Sequence, residues 1–435
     1  MYKLFVLISF LLVNAYSFSS TNSEENYIFE FHKRSGLPNV SRKIFSGDTT
    51  YVAYLGGSIT EQKGWRVLSM DYLKERFPKT PFVEIDASMG GTSSLLGVLR
   101  MDRDVLKYNP DIVFVEFAVN DAETSEYKVI QSIEGIVRKI WRANQYCDIC
   151  FVYTTTEELI NKTGTDILHN TVVTMEKIAD FYNIPSVYLP FEVISLLKQG
   201  KLVMSPQKSQ MLRVSGNELN KTPNPPLDDD EVVYFSPDGV HPFVNTGHVL
   251  YMSVLEKALN NMLYEGYRDL AHSIKYCLSE SNYENSRRIL VSTMRPSSAW
   301  KEILKTSSLY KKYNLRFDEL WCGHVGATLN FTFKGSGLVS YDIISPEGCR
   351  LEITVDGKKF YVNRFDGYCT YSRYHFKELI SGLDSNVEHY VQIKVIDEGL
   401  DKKNLLFERN RKDFYDNPMK YKKVCWLLNS IFVIP

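Results

Sequence analysis

Four short stretches of the sequence carry side chains whose types and spacing suit acyl transfer, and the first centres on Ser58. Ser58 follows the apolar run 51–55 and a pair of glycines, which predicts a buried strand with a hydroxyl at its carboxyl end. A serine hydroxyl is a poor nucleophile unless a base takes its proton, and an imidazole can do so near neutral pH. His241 is the candidate base, and Asp238, three residues earlier, is the candidate carboxylate that orients its ring.

Two further stretches offer hydrogen-bond donors for the oxyanion that acyl transfer creates. Asn120 lies at the end of the predicted strand 111–119, and the pair Gly90-Gly91 follows the preceding predicted strand. We expect the donors to be the backbone N–H groups of Ser58 and Gly91 and the side-chain amide of Asn120. Each stretch alone also fits a helix cap, a turn or a loop. Their order along the chain, with three of the four at strand ends, favours a catalytic site.

The elements that must position these residues alternate between strand and helix from residue 51 to about residue 267. Apolar runs of strand length occupy 51–55, 82–85, 111–119, 149–154 and 186–189. Residues 130–141 have the spacing of an amphipathic helix, and a second apolar helical face follows Thr246. This alternation predicts an α/β domain with a parallel sheet covered by helices on both faces, which we place at 45–270.

The pattern changes after about residue 285 to short runs that alternate between apolar and polar residues. They occupy 327–333, 338–343, 350–355, 359–362, 390–395 and 424–428. Asp356-Gly357 separates two of them and is a hairpin turn signal. This half predicts a separate C-terminal antiparallel β-sandwich domain at 285–435.

The net charge gives no indication of a nucleic-acid partner, and the first residues indicate export. The 435-residue chain has a formal net charge of −1, so nothing indicates a nucleic-acid partner. Residues 1–20 combine Lys3 with an apolar run, 4–13, that is too short to span a bilayer. We expect a cleaved signal peptide, export to the periplasm or the extracellular space and no stable membrane insertion afterwards. A short anchor that is never cleaved is the alternative.

The cysteines and one long polar segment are less informative. Seven cysteines leave at least one without an intrachain partner. Cys147 and Cys150 have redox-motif spacing but begin a predicted strand, so we expect a structural disulfide or two unreactive thiols. No second cysteine pair or histidine cluster indicates zinc, and we expect neither a metal nor an organic cofactor. The polar segment 198–230 fits a lid over a site or a solvated insertion.

Together the four stretches resemble the SGNH (GDSL-like) hydrolase family, which is named for its Ser, Gly, Asn and His residues. The resemblance covers roughly residues 51–267, about half of the chain. It implies a flavodoxin-like three-layer fold. The site residues that it implies are the nucleophile Ser58, the triad partners Asp238 and His241, and the oxyanion-hole donors Ser58, Gly91 and Asn120.

The chain departs from the family pattern in two places. Gly57 stands where the family usually has Asp, and Ala118 stands where it usually has Gly. Both replacements are small, although Gly57 removes a local hydrogen-bonding group. Gly91 is preferred to Gly90 because the family's donor glycine usually precedes a small polar residue, here Thr92. The Gly-Gly-Ser-Ile-Thr form is similar to an exported branch found in bacteria that degrade polysaccharides.

The resemblance implies an exported serine esterase that removes acyl groups, with O-acetyl expected, from a carbohydrate substrate. A lipase or lysophospholipase-type acylhydrolase of the same fold is one alternative. A non-catalytic carbohydrate-binding protein on a hydrolase scaffold is another.

Several other residues have both a functional and a structural interpretation. Glu61, Trp65 and Arg66 follow the serine and either line a pocket or serve packing, whereas His248 is expected to pack a helix. Tyrosines in the aromatic-rich segment 364–375 either stack on sugar rings or belong to the sheet and interface. The candidate sugar-binding tyrosines are Tyr368, Tyr371 and Tyr374.

Overall fold

The computed structural model describes residues 26–205, 232–274 and 276–435. The predicted signal peptide 1–20 lies outside these residues, as do residues 206–230 of the polar segment. Within the described ranges, no helix has the length and apolar character needed to cross a membrane.

The first half is built on a six-stranded sheet. Its strands are β1 (Phe31–His32), β2 (Thr50–Gly56), β3 (Phe82–Asp86), β4 (Ile112–Glu116), β5 (Asp148–Tyr153) and β6 (Ser186–Tyr188). They lie in the order β1-β6-β5-β4-β2-β3, with every pair parallel except the edge pair β1–β6. Strands β4 and β5 are buried along their whole length, which explains their continuous apolar sequences.

Helices connect these strands. They are α1 (Pro38–Phe45), α2 (Ser58–Glu61), α3 (Trp65–Arg76), α4 (Ser94–Asp104), α5 (Glu126–Ala143), α6 (Glu157–Thr163), α7 (Asn170–Tyr182), α8 (Pro190–Lys198) and α9 (Gly247–Met262). Helix α5 packs against α4 and α7, and α9 packs against α3 and α8. The crossover through α3 runs outward to the edge strand β3, whereas those through α4, α5 and α7 run the other way. Right-handed crossovers therefore place the two groups on opposite faces of the sheet.

The predicted α/β fold is confirmed, with differences at its margins. All five predicted strands form, but β4 ends at Glu116 because the chain turns directly afterwards. The antiparallel strand β1 was not predicted, since two residues are too few to show a pattern, and it lies before the predicted domain start at residue 45. A small parallel pair, β7 (Leu202–Val203) and β8 (Val233–Tyr234), flanks the residues that are not described.

The second half contains two antiparallel sheets, which confirms the predicted β-sandwich. Its strands are β9 (Arg287–Leu290), β10 (Trp300–Glu302), β11 (Trp321–His324), β12 (Thr328–Lys334), β13 (Gly337–Ile344), β14 (Arg350–Val355), β15 (Lys358–Asn363), β16 (Arg373–Ile380), β17 (Glu388–Ile396) and β18 (Cys425–Ile434). The six-stranded sheet has the order β10-β11-β18-β13-β16, and β9 also pairs with β18. The four-stranded sheet has the order β12-β17-β14-β15. Short helices complete this half: α10 (Ser308–Tyr313), α11 (Lys402–Leu405) and α12 (Arg411–Asp416).

The central strands β13 and β18 of the six-stranded sheet are buried on both faces. One face packs on the four-stranded sheet through apolar residues of β13 and β18 such as Leu338 and Leu428. The other face contributes Tyr341, Ile343 and Phe432 to the same apolar cluster as the core of the first half. Strand residues alternate between faces, so β13 and β18 are apolar on both and buried throughout. The two halves therefore share one continuous apolar interior.

Candidate active site

The serine lies at a sharp turn from β2 into α2. Gly56 and Gly57 precede it, and both occupy positions where a side chain would collide with neighbours. A Cβ at Gly56 would lie 2.8 Å from the carbonyl oxygen of Glu116, and one at Gly57 would lie 2.0 Å from Oδ1 of Asn120. The paired glycines therefore allow the asparagine to lie directly beside the turn that carries Ser58.

A buried carboxylate supports this turn from below. Glu116, the last residue of β4, is 1% exposed and accepts hydrogen bonds from the hydroxyls of Thr60 (2.8 Å) and Thr154 (2.7 Å). Burial raises the pKa of Glu116, while these hydroxyls and the backbone N–H of Gly57 act in the opposite direction. Glu116 thus links the first residues of α2 to the ends of β4 and β5. The signal that could have revealed it is a lone acidic residue inside an apolar strand sequence.

Ser58, His241 and Asp238 form one chain of hydrogen bonds. Nε2 of His241 lies 2.8 Å from Oγ of Ser58, and Nδ1 of His241 lies 2.8 Å from Oδ2 of Asp238. A carboxylate only accepts, so Nδ1 carries the proton and donates to Asp238. Nε2 is then the free acceptor, and the serine hydroxyl donates to it. The structure brings these three predicted residues together in the geometry that general-base activation of a serine requires.

Asp238 is held so that it faces the imidazole. Its other oxygen, Oδ1, accepts from the backbone N–H groups of Val240 (2.9 Å) and His241 (2.8 Å) and from the hydroxyl of Ser236 (3.0 Å). Burial alone would raise the pKa of Asp238, but the hydrogen bonds from His241 and Val240 outweigh it, and the pKa is lowered. Asp238 therefore stays ionised beside the imidazole. Gly239, between the two residues, has a φ of +78°, which favours glycine.

Asn120 occupies the position predicted for an amide donor. It follows β4 in a turn, and its side chain lies against the backbone of Gly57, next to Ser58. No hydrogen bond involves its amide among the residues that the structure describes. Asn120 therefore offers an unused donor at the carboxyl edge of the sheet, beside the serine.

The glycine loop, residues 87–92, approaches the serine from the other side. A Cβ on Gly90 would lie 3.4 Å from Cβ of Ser58. The N–H of Gly90 is already occupied, because it donates to Oε2 of Glu61 over 3.0 Å. The next N–H along the loop belongs to Gly91, which has no acceptor within the described ranges. Its φ of +70° and the open space around it suit glycine. These observations favour Gly91 over Gly90 as the backbone donor.

The architecture matches solved structures along almost the whole chain. The crystal structure of a two-domain esterase (CEX) active on acetylated mannans matches with a TM-score of 0.65 at 20% identity, covering 94% of this chain and 97% of that chain. A second structure, co-crystallized with mannopentaose, gives a TM-score of 0.62 at 19% identity, covering 93% and 98%. The chain has the two-domain SGNH hydrolase fold. No protein-family model and no curated protein sequence matches it.

Within the SGNH fold, both departures from the usual pattern have a physical setting. Gly57 replaces the usual Asp, and a Cβ at this position would force the side chain of Asn120 to move. Glu116 reaches the backbone of this turn from β4 instead, so a carboxylate is present although it comes from another strand. Ala118 replaces the usual Gly and is buried in the turn that leads to Asn120.

Other residues singled out from the sequence belong to the scaffold of the SGNH domain. Trp65 is fully buried against Tyr54 and Phe114. His248 is also fully buried, accepts from the N–H of Trp65 (3.1 Å), and has a pKa lowered to about 3 by burial. The predicted packing role of His248 is therefore confirmed.

Of the other side chains singled out from the sequence, two tyrosines lie at the surface and the rest are buried or partly buried. Arg66 is buried and paired with Glu84 and Asp86, so it does not line the site. Tyr368 and Tyr371 are 45% and 56% exposed and remain available to a ligand. Tyr374 belongs to the sheet and interface, which is the other interpretation that the sequence offered. It packs against Tyr313, Phe317 and the first half of the chain.

The two cysteines with redox-motif spacing are not joined by a disulfide. Cys147 and Cys150 are separate buried thiols, and burial raises the pKa of both. Within the described part of the chain, no group of three or more His, Cys, Asp or Glu residues is arranged to hold a metal ion.

Proposed function

We propose that this protein is a serine esterase that hydrolyses acyl esters, with O-acetyl as the acyl group, on a carbohydrate. The observation that carries the proposal is the hydrogen-bond chain from Asp238 through His241 to Ser58, with both distances at 2.8 Å. In this arrangement Ser58 is the nucleophile, His241 the general base and Asp238 the residue that fixes the ring.

The reaction proceeds in two halves. The hydroxyl oxygen of Ser58 attacks the ester carbonyl carbon while Nε2 of His241 takes the proton, and Asp238 stabilises the imidazolium. The N–H groups of Ser58 and Gly91 and the amide of Asn120 donate to the oxyanion. Collapse of the intermediate breaks the ester bond, and His241 returns the proton to the departing sugar oxygen, which leaves as a hydroxyl group. Water then attacks the acyl-serine by the same route, releasing the carboxylic acid and restoring Ser58.

A carbohydrate ester is favoured as the substrate for two reasons. A structure that matches 94% of this chain is of an esterase active on acetylated mannans, and it shares both domains. The second domain also exposes Tyr368 and Tyr371, whose rings suit stacking on sugars. We further propose export through a signal peptide at 1–20, followed by an SGNH domain at 45–270 and a β-sandwich domain at 285–435.

The proposal is tested by acetate release from chemically defined substrates. The protein should hydrolyse a chromogenic aryl acetate and release acetate from acetylated mannan or acetylated xylan. A serine-directed organophosphorus reagent should stop turnover and add its mass to the peptide that contains Ser58. A long-chain acyl ester is the control for the lipase alternative. Turnover of long-chain esters alone, or modification of a different serine, would contradict the proposal.

A further inference from the structure

One side chain of the second domain reaches the glycine loop of the first. Arg316 follows α10 and is 7% exposed. Its guanidinium donates through Nη2 to the backbone carbonyl of Ser88, which is fully buried. The neighbouring loop residue, Met89, receives a second contact, since the hydroxyl of Tyr341 lies 3.5 Å from its sulfur. The second domain thus touches two consecutive residues of the loop.

The first domain holds the same loop almost entirely by its N–H groups. Ala87 donates to the carbonyl of Tyr54 and Met89 to that of Gly56, each over 2.9 Å. Gly90 donates to Glu61, as described above. The Ser88 carbonyl points the other way, and its partner in the described chain is Arg316. The loop is therefore held between β2 and the second domain, and the second domain contacts it two and three residues before Gly91.

Arg316 is itself rigidly supported. The adjacent Phe317 is 1% exposed and meets Tyr341 and Tyr374 edge-on, with ring centroids 4.9 and 5.1 Å apart. Tyr313, at the end of α10, packs edge-on against Tyr374 at 4.9 Å. This aromatic cluster lies in the apolar interior that the two domains share.

Charge also holds Arg316 in place. Its Nη1 lies 3.8 Å from Oδ2 of Asp104 in α4. Burial would raise the pKa of Asp104, but Arg100 and Arg316 outweigh this effect, so the pKa is lowered and the carboxylate stays ionised. Burial raises the pKa of Glu61, and Arg316 acts against that rise. The guanidinium thus interacts electrostatically with the carboxyl groups of Asp104 and Glu61.

We propose that Arg316 is a positioning residue for the oxyanion donors, so that the second domain fixes the geometry of the reaction in the first. The inference rests on the proposed function. Arg316 touches no reacting atom and acts by holding Ser88 and hence the path of the loop to Gly91. Oxyanion stabilisation depends on donors that are already in place, so a loosened loop should lower kcat more than it weakens substrate binding.

The test compares three variants of the full chain on a small aryl acetate, which needs no polysaccharide-binding surface. Arg316→Met keeps the apolar stem and removes the donor, and we expect kcat to fall about 10- to 100-fold with KM within about twofold. Arg316→Lys restores a cation and one donor and should recover part of kcat. Asp318→Asn is the matched control, because Asp318 joins Arg103 of α4 (2.9 Å) to Arg288 (2.6 Å) without touching the loop.

The outcomes separate this inference from the proposed function. A wild-type kcat in Arg316→Met would overturn the inference, as would an equal loss in Asp318→Asn, which would mean that any weakening of the interface suffices. Should Arg316→Met not fold, Arg316→Gln replaces it under the same criteria. If the wild-type protein has no esterase activity, or Ser58→Ala keeps it, the proposed function is wrong and this inference falls with it.

Discussion

Each domain contains a network of charged and polar side chains, and the two networks differ in what they leave free. In the first domain, Ser58 begins α2, and Asp238 and His241 lie in the loop that precedes α9. The side chains of His241 and Asp238 are 15% and 17% exposed. The hydroxyl of Ser58 faces the base, and the nearby donors of Asn120 and Gly91 have no acceptor within the described residues. This network therefore retains hydrogen-bond donors that a bound substrate could use.

The network of the second domain is closed. Asp342 in β13 is fully buried and accepts two hydrogen bonds from Arg364, at 2.8 and 2.6 Å, and one from the indole of Trp426 at 2.7 Å. Nδ1 of His375 lies 3.0 Å from Arg364, and its pKa is lowered to about 4, chiefly by burial and next by that guanidinium. Every oxygen of the carboxylate is used inside the domain.

Whether a network retains unpaired groups distinguishes a candidate catalytic site from a structural one better than its residue types do. Both networks contain a histidine near a carboxylate and sit in aromatic surroundings. Only the first presents a nucleophile and unpaired donors at the carboxyl edge of a parallel sheet, where ligands bind in such folds. We therefore propose that the first network serves catalysis and the second serves stability, and four predictions test that proposal.

The largest effect is expected from Ser58→Ala. The change removes the only atom that the proposed mechanism makes covalent with the acyl group, so hydrolysis of an aryl acetate should be abolished. The fold should persist, because the side chain is small and lies at the surface of the turn. Activity is measured by acetate release and folding by circular dichroism. Turnover near that of the wild-type protein would remove the first network from catalysis.

Asn120→Ala should have the next largest effect. Its amide serves a charge that exists mainly in the transition state, so kcat should fall on the order of a hundredfold or more with little change in KM. Steady-state kinetics on the same aryl acetate separates the two constants. A rise in KM alone would instead make Asn120 a residue that binds the ground state.

Much of the parallel sheet and of the candidate site could be predicted from the sequence. Buried parallel strands have continuous apolar sequences, so β2 to β6 were predictable, and the ends of such strands meet at one edge. Ser58 and His241 are separated by 183 positions, yet the chemistry of the two side chains and the resemblance to the SGNH family predicted their contact. Asn120 was predicted from its place at a strand end, whereas the preference for Gly91 over Gly90 came from the family resemblance, and the roles of both residues remain predictions.

The features that were missed depend on contacts that no local pattern reports. Strand β16 begins inside the aromatic-rich segment, whose residues do not alternate, so the sequence did not decide between sugar stacking and the interface for Tyr374, which the structure places in the interface. Glu116 supports the nucleophile turn from a neighbouring strand, and Arg316 reaches the glycine loop from the other domain. Each role arises only when the sheet or the two domains are assembled.

The pH dependence should be a smaller effect, on the order of tenfold per pH unit on the acid side. His241 must be neutral for Nε2 to accept the serine proton, so kcat/KM should fall when the medium is acidified. The pKa of Asp238 is lowered, so this carboxylate stays ionised to a lower pH than usual and does not produce the acid limb. A profile that stays flat down to pH 4, with folding unchanged, would contradict a histidine base.

The smallest effect on turnover is expected from the second network. Arg364→Met leaves the buried carboxylate of Asp342 without its cation, which should cost about 3–5 kcal/mol of unfolding free energy. The kcat of the folded protein, measured well below its melting temperature, should stay within about twofold of the wild-type value, because this network contacts neither the triad nor the glycine loop.

The double variant Asp342→Asn/Arg364→Met is the matched control for this prediction. It removes both charges, and an amide oxygen can still accept from the indole of Trp426. It should therefore lose less stability in urea or thermal unfolding than Arg364→Met alone, since no unpaired charge remains buried. A kcat that falls in both variants while the protein is fully folded would show that the closed network also governs the reaction, and catalysis could then no longer be assigned to one network and stability to the other.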